Sequence, residues 1–451
     1  MKNITTKNFG QLNSWKIITV IIITVIKMSI LFFPTTVNAQ QVANQFVVTM
    51  CRQFNKDLFD LNAQPYLSPT VQVVNATSNA GFFHSAYVPR KVNKPYFRLS
   101  GNLMMGFVRD DMKTFSPQIP TKEYNQTEAF KFINILSGTI DTAGAINYIF
   151  QNILHEGIKT GQILVPDASP TTLGSSDLVY FYFPKEAMLE LINNHPLYPI
   201  IAAIFPAIAE EIEKVIGSFP YRLALPAGGD IDRIIAAVPQ LEIGSLYGTE
   251  LLVRLIPPLD LGEYVGKFSF WGLGLKHSVS QYFYKDENRD GNAPKREQIA
   301  PFDLAAQIVY QRTGLENTVG MTEAKLNANA NIWNFNLHAS KNFNNYFELY
   351  SGVSFETTNI KGTYKYLLPI ELQKEIGLLR VEDLPDGSQL YFREPPEYPG
   401  DDMPQTSTVN VSSNHFKWVI GASKNIGPVT LFIDYNVSKF NVFSGGIQYR
   451  F

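Results

Sequence analysis

The end of the chain carries its strongest constraint. From Phe443 to the final Phe451, apolar and polar residues alternate. Successive side chains of a strand point to opposite sides. Phe443, Ile447, Tyr449 and Phe451 therefore share one face, and Ser444, Gly446, Gln448 and Arg450 share the other. One apolar face for lipid and one polar face for a wet lumen is the pattern of a membrane-barrel strand. A half-buried strand of a soluble sandwich alternates too, so the period alone leaves both folds open.

The two preceding segments repeat the pattern. Val429, Leu431, Ile433, Tyr435 and Val437 alternate with Thr430, Phe432, Asp434, Asn436 and Ser438. Phe416, Trp418, Ile420 and Ala422 alternate with Lys417, Val419, Gly421 and Ser423. These runs approach the ~9–11 residues of a tilted membrane strand. After Phe33 no apolar run reaches the ~20 residues of a membrane helix. The closest, 197–209, is broken by Pro199 and Pro206. If the chain enters a bilayer it must do so as a closed sheet, because hydrocarbon offers no partner to a free backbone N–H or C=O.

Ile447, Tyr449 and the terminal Phe451 resemble the recognition signal by which bacterial outer-membrane barrels are assembled. Upstream, Val238-Pro239-Gln240-Leu241-Glu242-Ile243-Gly244, Gly248-Thr249-Glu250-Leu251-Leu252-Val253-Arg254 and Gly272-Leu273-Gly274-Leu275-Lys276-His277-Ser278-Val279 are similar to an uncharacterised outer-membrane family common in Bacteroidota. The resemblance covers most of 66–451, and that family is distantly like the long-chain fatty-acid transporter barrels. It implies a fold, the cell outer membrane as the place, and the barrel-assembly and secretion machineries as partners. It brings no substrate and no site residues.

Further strands follow from the same alternation at 346–358, 265–283 and 321–340. Weaker candidates lie at 302–312, 249–256, 238–245, 95–109 and 81–88. In 321–340 the apolar face switches from Leu326, Ala328, Ala330 and Ile332 to Trp333, Phe335, Leu337 and Ala339, which suggests a β-bulge. With 178–183 and 219–225 the total is roughly 12 to 14 antiparallel strands. Helical spacing appears instead at 127–161 and 185–217, read as insertions that cap one mouth or plug the barrel. The expected fold is an all-β transmembrane barrel over 66–451, after an N-terminal extension at 40–65.

The first 39 residues have the layout of a cleaved secretory signal: Lys2, Lys7 and Lys16, an uncharged apolar run at 17–26, Pro34, then Val37 and Ala39 at −3 and −1. The run is too short for a membrane anchor. Cys51 follows Met50, which does not suit lipoprotein processing, and a single Cys excludes an intrachain disulfide. Net charge of −2 gives no pull toward nucleic acid.

With both termini at the periplasm, short turns should face inward and the long 359–413 segment outward. That segment carries Glu371, Glu375, Glu382, Asp383, Asp386, Glu394, Glu397, Asp401 and Asp402. It reads as a solvated acidic loop, or else as a vestibule that collects cations or a surface contact. One motif suits calcium: Asp286, Asn288, Asp290 and Asn292 run through Gly291 to Glu297, the spacing of an EF-hand loop, yet strands flank it and a polar hairpin loop is the alternative. No catalytic residues, nucleotide loop or other cofactor set emerges. Lys276 and His277 should face opposite sides of their strand, and Gly272 and Gly274 should leave room for neighbouring lumen side chains. The leading expectation is a passive channel or transporter for small or hydrophobic solutes. The alternative is a structural or surface-interaction barrel with a blocked lumen, and an enzyme is third. A packed lumen favours the second of these, an open one the first.

Overall fold

The computed structural model describes residues 45–451 apart from 91–93, 135–138, 218, 220, 226, 261–266, 284–300, 320–323, 344–345, 369 and 386. Its centre is a closed antiparallel barrel of ten strands. They are β1 (Tyr96–Phe107), β2 (Arg233–Leu246), β3 (Thr249–Asp260), β4 (Lys267–Ser278), β5 (Asp303–Val319), β6 (Ala324–Phe343), β7 (Phe347–Tyr366), β8 (Gln405–Ile426), β9 (Val429–Val437) and β10 (Val442–Arg450). Each pairs with its sequence neighbours, and β1 closes the ring by pairing β10 and β2, as in Leu99 opposite Tyr449 and Leu241. Closure leaves no free sheet edge.

The sequence count of 12 to 14 exceeds ten for two reasons. Val179–Tyr182 and Arg222–Leu225 pair with each other in a small sheet separate from the barrel. Residues 81–88 form no strand, and they lie inside the barrel. The barrel wall begins at Tyr96, and before it comes a helix, α1 (Gln45–Ser78), which holds Pro65 and Pro69 in its interior. A proline removes an intrahelical hydrogen bond, so this stretch gave no clean helical signal in the sequence.

The outward face of the wall is an apolar belt: Trp333, Phe335 and Leu337 on β6, Leu349, Val353 and Phe355 on β7, Phe416, Trp418 and Ile420 on β8, all exposed. Aromatic rings border it. Trp271, Tyr310 and Trp333 form one rim, with ring centroids 5.5 and 4.8 Å apart. Phe343 against Phe347 and Tyr449 against Phe451, each pair 5.0 Å apart, lie at the other. From Phe343 to Trp333 the belt spans about ten residues, roughly 25 Å of height at ~3.4 Å per residue and ~40° tilt.

Four strands overshoot the belt. β5 to β8 have 17, 20, 20 and 22 residues, against 9 in β9 and β10. In the overshoot the polarity inverts: Asn327, Asn329 and Asn331 point outward, while Ala330 and Ile332 are buried with Ile360 and Val411. This is the switch that suggested a bulge in β6. There is none, because β6 keeps an unbroken register with β5 and β7 throughout. The environment changes sides, not the residues. Register shifts occur instead in β2–β3 and β3–β4.

A helical cap covers the mouth on this side. It is built from the first half of α1, from α2 (Thr142–Lys159), α3 (Lys185–Asn193), α4 (Tyr198–Ile204) and α5 (Pro206–Gly217), and from α6 (Ile370–Glu375) in the loop between β7 and β8. Its core joins Phe54 and Leu58 of α1 to Ile149, Ile153, Ile192, Ile212 and Leu372. Phe54 meets Phe150 and Phe219 edge-on at 5.6 and 5.1 Å. The two helical insertions expected at 127–161 and 185–217 are therefore a cap, and the plug comes from elsewhere.

Candidate functional site

The second half of α1 descends from the cap into the barrel. Val73 and Ala76 pack with Met104, Ile234, Val238 and Phe440. Close approach needs Gly106 on β1, where a Cβ would stand 2.1 Å from Thr77 Oγ1. The helix stops at Ser78, and Gly81, at φ +64°, turns the chain down the lumen.

Residues 79–90 then thread the barrel. Asn102 of β1 donates to Gly81 O (3.3 Å), and Gln240 of β2 to Phe82 O (3.5 Å). The Arg254 guanidinium of β3 lies over the Phe82 ring. Phe83 stacks on His338 of β6 at 3.9 Å, and His84 on Phe432 of β9 at 4.8 Å. Ser85 donates to Glu348 of β7 (2.6 Å), Ser340 of β6 accepts from Ala86 N (2.9 Å), and Ser423 of β8 donates to His84 O (3.1 Å). At the lower rim Ser245 donates to Pro89 O. The segment thus touches seven of the ten strands, which places it on the axis. A cavity beside it, lined by Asn79, Phe83, Asn336 and Asp434 among others, holds about 10 Å³. That is one water's worth and too small for a solute.

Around this segment the wall carries buried charge. Glu250 accepts from Lys276 (2.6 Å), Tyr96 (2.7 Å) and Arg98 (3.1 Å). Glu242 takes Gln240 (2.7 Å), Gln448 (3.1 Å) and Arg98 (3.4 Å). Across the lumen Lys417 and Glu356 meet at 2.6 Å, and Asp434 accepts from Tyr350 (3.1 Å) and Asn436 (2.7 Å). Buried charges survive only when paired and hydrogen-bonded, and this set is densely paired. The arrangement ties the lumen wall to the segment that fills it.

Lys276 is buried in the lumen, while His277 turns the other way to Thr249 (2.8 Å) and Tyr282 (2.9 Å). A Cβ at Gly272 or Gly274 would reach Gln311 and Val309 within 3 Å, so both glycines make room for lumen neighbours. Ile447, Tyr449 and Phe451 all stand exposed on the outer face of the last strand, with Phe451 N bonded to Phe97 O at 2.9 Å. The calcium-like loop, Asp286, Asn288, Asp290, Asn292 and Glu297, lies outside the described residues, as do the first 39. Among the described residues no cluster of three metal-ligating side chains occurs. The acidic outer segment is shorter than 359–413, since β7 runs to Tyr366 and β8 starts at Gln405. Part of its charge is structural: Asp401 is buried, accepts from Leu368 N (2.7 Å) and pairs with Arg52 of α1. Arg380 forks onto Glu394 at 2.8 and 2.9 Å.

The sequence reading missed the threaded segment and the lumen charges as a set. Arg98, Glu242, Glu250, Lys417 and Asp434 each stand in phase with small or polar lumen positions. That phase is the signal by which they could have been grouped.

The chain belongs to the family of unknown function DUF6588, whose model matches residues 15–451. No curated protein matches it.

Proposed function

We propose that this member of DUF6588 is an outer-membrane barrel closed by its own N-terminal segment, and that its function lies in the helical cap held at the outer mouth. Three observations support the membrane. The apolar belt is about as tall as the ~25 Å band of outer-membrane barrels, aromatic rims border it, and polarity inverts just beyond one rim. The cap sits on the side of the two longest connections, 108–232 and 367–404, and the opposite end carries the turns 247–248, 344–346 and 427–428 together with one longer connection, 279–302. Long outside and short inside is the outer-membrane asymmetry.

The observation that carries the closed-lumen reading is the passage of residues 79–90 down the axis, touching seven strands. Reconstituted wild type should then give no sustained single-channel current in planar bilayers. Steady open-channel current would overturn it in favour of transport. Fractionation tests the place: recovery from outer membranes with Gln40 as the first residue is expected, and a mass retaining the first 39 residues would remove the signal-peptide reading.

Passive transport of small or hydrophobic solutes is the second reading, and one observation favours it. Among the described residues, 79–90 form no β-ladder with the wall. Side chains hold the segment, so displacing it would not unzip a sheet.

A further inference from the structure

The overshooting wall carries a feature that neither the barrel nor its closure requires. Above the Trp271–Tyr310–Trp333 rim, the outward faces of β5 to β8 form a cleft of about 390 Å³. Its first row is Arg312, Asn331 and Asn359, adjacent across the strands. Its second is Asn329, Lys361 and Asn410, with Gly314 beside Asn329 leaving the floor open. No carboxylate lines it; Glu316 stands in register beside its third row, Asn327 and Thr363. Among the described residues neither Arg312 nor Lys361 pairs with an acid. Arg312 makes a long contact to Asn329 (3.5 Å), and Tyr310, on the rim, donates to Asn331 (2.8 Å).

A solvated wall needs polar residues, but not this selection. Five asparagines line the cleft with two cations and Thr363. Asparagine offers both a donor pair and an acceptor, which suits neighbouring hydroxyls. The Arg fork matches phosphate oxygens, and Lys adds a point charge. From strand spacing the two cations stand roughly 12 Å apart. Interfacial aromatics mark the level at which acyl chains give way to headgroups. A ligand whose tails lie on the belt would place its headgroup directly against the cleft.

We propose that this cleft binds the phosphorylated sugar headgroup of an outer-leaflet glycolipid. The proposal rests on the outer-membrane reading above and adds a ligand class to it. The acyl chains lie along Trp333, Phe335 and Phe355. Sugar hydroxyls meet the asparagine amides, and phosphate meets Arg312 and Lys361. Because the site is on the outside of the wall, occupancy leaves the lumen untouched.

The test uses the full mature chain inserted into phosphatidylethanolamine vesicles with and without diphosphorylated lipid A, followed by native mass spectrometry of the extracted barrel. Wild type should retain one lipid A, and Arg312→Glu with Lys361→Glu should retain at least tenfold less. Asn331→Ala with Asn359→Ala, which leaves charge unchanged, should also lose retention. Heat-modifiable mobility confirms that each variant is folded. Equal retention by wild type and both double variants overturns the proposal. Displacement of lipid A by inorganic phosphate alone would reassign the cleft to free anions and overturn the lipid as ligand. A wild type that inserts into neither vesicle overturns the membrane reading itself, a result distinct from insertion without retention.

Discussion

The Arg254 guanidinium lies 4.1 Å from the centre of the Phe82 ring, and its Nη2 donates to Ala80 O at 2.9 Å. One fully buried wall side chain therefore grips the threaded segment by its backbone and by a ring. Its Nε also donates to Gln240 Oε1 at 2.8 Å, which ties the grip to Glu242 through Gln240.

Arg254→Ala removes the grip and takes the guanidinium donor away from Ala80 O, while Gln240 Oε1 keeps Asn102 Nδ2 at 3.2 Å. Removing one member of a buried charged network costs about 3–5 kcal/mol. The barrel should still form, since the wall ladders are untouched, but the loss of heat-modifiable mobility should shift to lower temperature. Brief current openings should appear in bilayers where wild type is silent. An unchanged melting point and a silent trace would show that Arg254 does not hold the segment.

Gly106 and Thr77 make a second, purely steric pair. Gly106→Ala drives a methyl to 2.1 Å from Thr77 Oγ1, and overpacking of this kind costs about 1–3 kcal/mol. Thr77→Ala removes the clashing oxygen and leaves Thr77 Cβ at 3.4 Å, an ordinary contact. The double variant should therefore recover most of the stability lost by Gly106→Ala, measured as urea midpoints over a double-mutant cycle. Additive losses would mean that α1 does not seat against β1 at this point.

His195 gives the cap a pH dependence. It is buried, its Nε2 donates to Asn152 Oδ1 (3.2 Å), and Leu197 N donates to its Nδ1 (3.3 Å). Burial pulls its pKa down to about 4, against ~6.5 in an unfolded chain. Between those values the unfolded state binds a proton that the folded state refuses. Cap stability should therefore fall as pH drops from about 6.5 to 4, by up to about 3 kcal/mol, and be flat on either side. Hydrogen exchange of α2 amides, corrected for intrinsic rate, should show this slope, and His195→Gln should remove it. A slope that persists in His195→Gln would assign it to other groups.

The barrel was legible in the sequence because period two is a local property, and it survives wherever a strand has one wet and one apolar side. Phe416 to Ala422 and Leu431 to Val437 announced their faces directly. The same property misled where extended chain is not wall. Residues 81–88 mix apolar and polar side chains because each meets a different neighbour inside the lumen: Phe83 stacks on His338, His84 on Phe432, and Ser85 donates to Glu348. Val179–Tyr182 alternates within the cap. A period reports that the backbone is extended; it does not report which sheet, if any, receives it. The inversion along β6 was visible as a change of phase. Alternation cannot distinguish a shift of residues from a change of surroundings, however, and only the unbroken register of Asn331 with Arg312 and Asn359 decides it. The lumen pairs were illegible for another reason: Lys417 and Glu356 are 61 positions apart, and nothing local links them.

Phe451 tests assembly and orientation together. Its ring is 68% exposed on the outer face, next to Tyr449 and in line with Ile447. In lipid that ring would stabilise the barrel by about 1.5–3 kcal/mol. Its backbone N–H also bonds Phe97 O at the seam where β10 closes onto β1. Deleting Phe451 should cost modest stability in barrels that do form. If the terminal aromatic is what the assembly machinery reads, it should cost far more yield: little protein in the outer membrane and accumulation or degradation before it. Deleting Asp402, exposed in the 367–404 connection, should do little by comparison, since exposed loops tolerate change. Protease added to intact cells should cut wild type within 367–404, near the Leu384–Ser388 turn, if that loop faces outward. A Phe451 deletion that assembles at wild-type yield would remove the assembly role, and a loop protected on intact cells but cut after permeabilisation would invert the orientation.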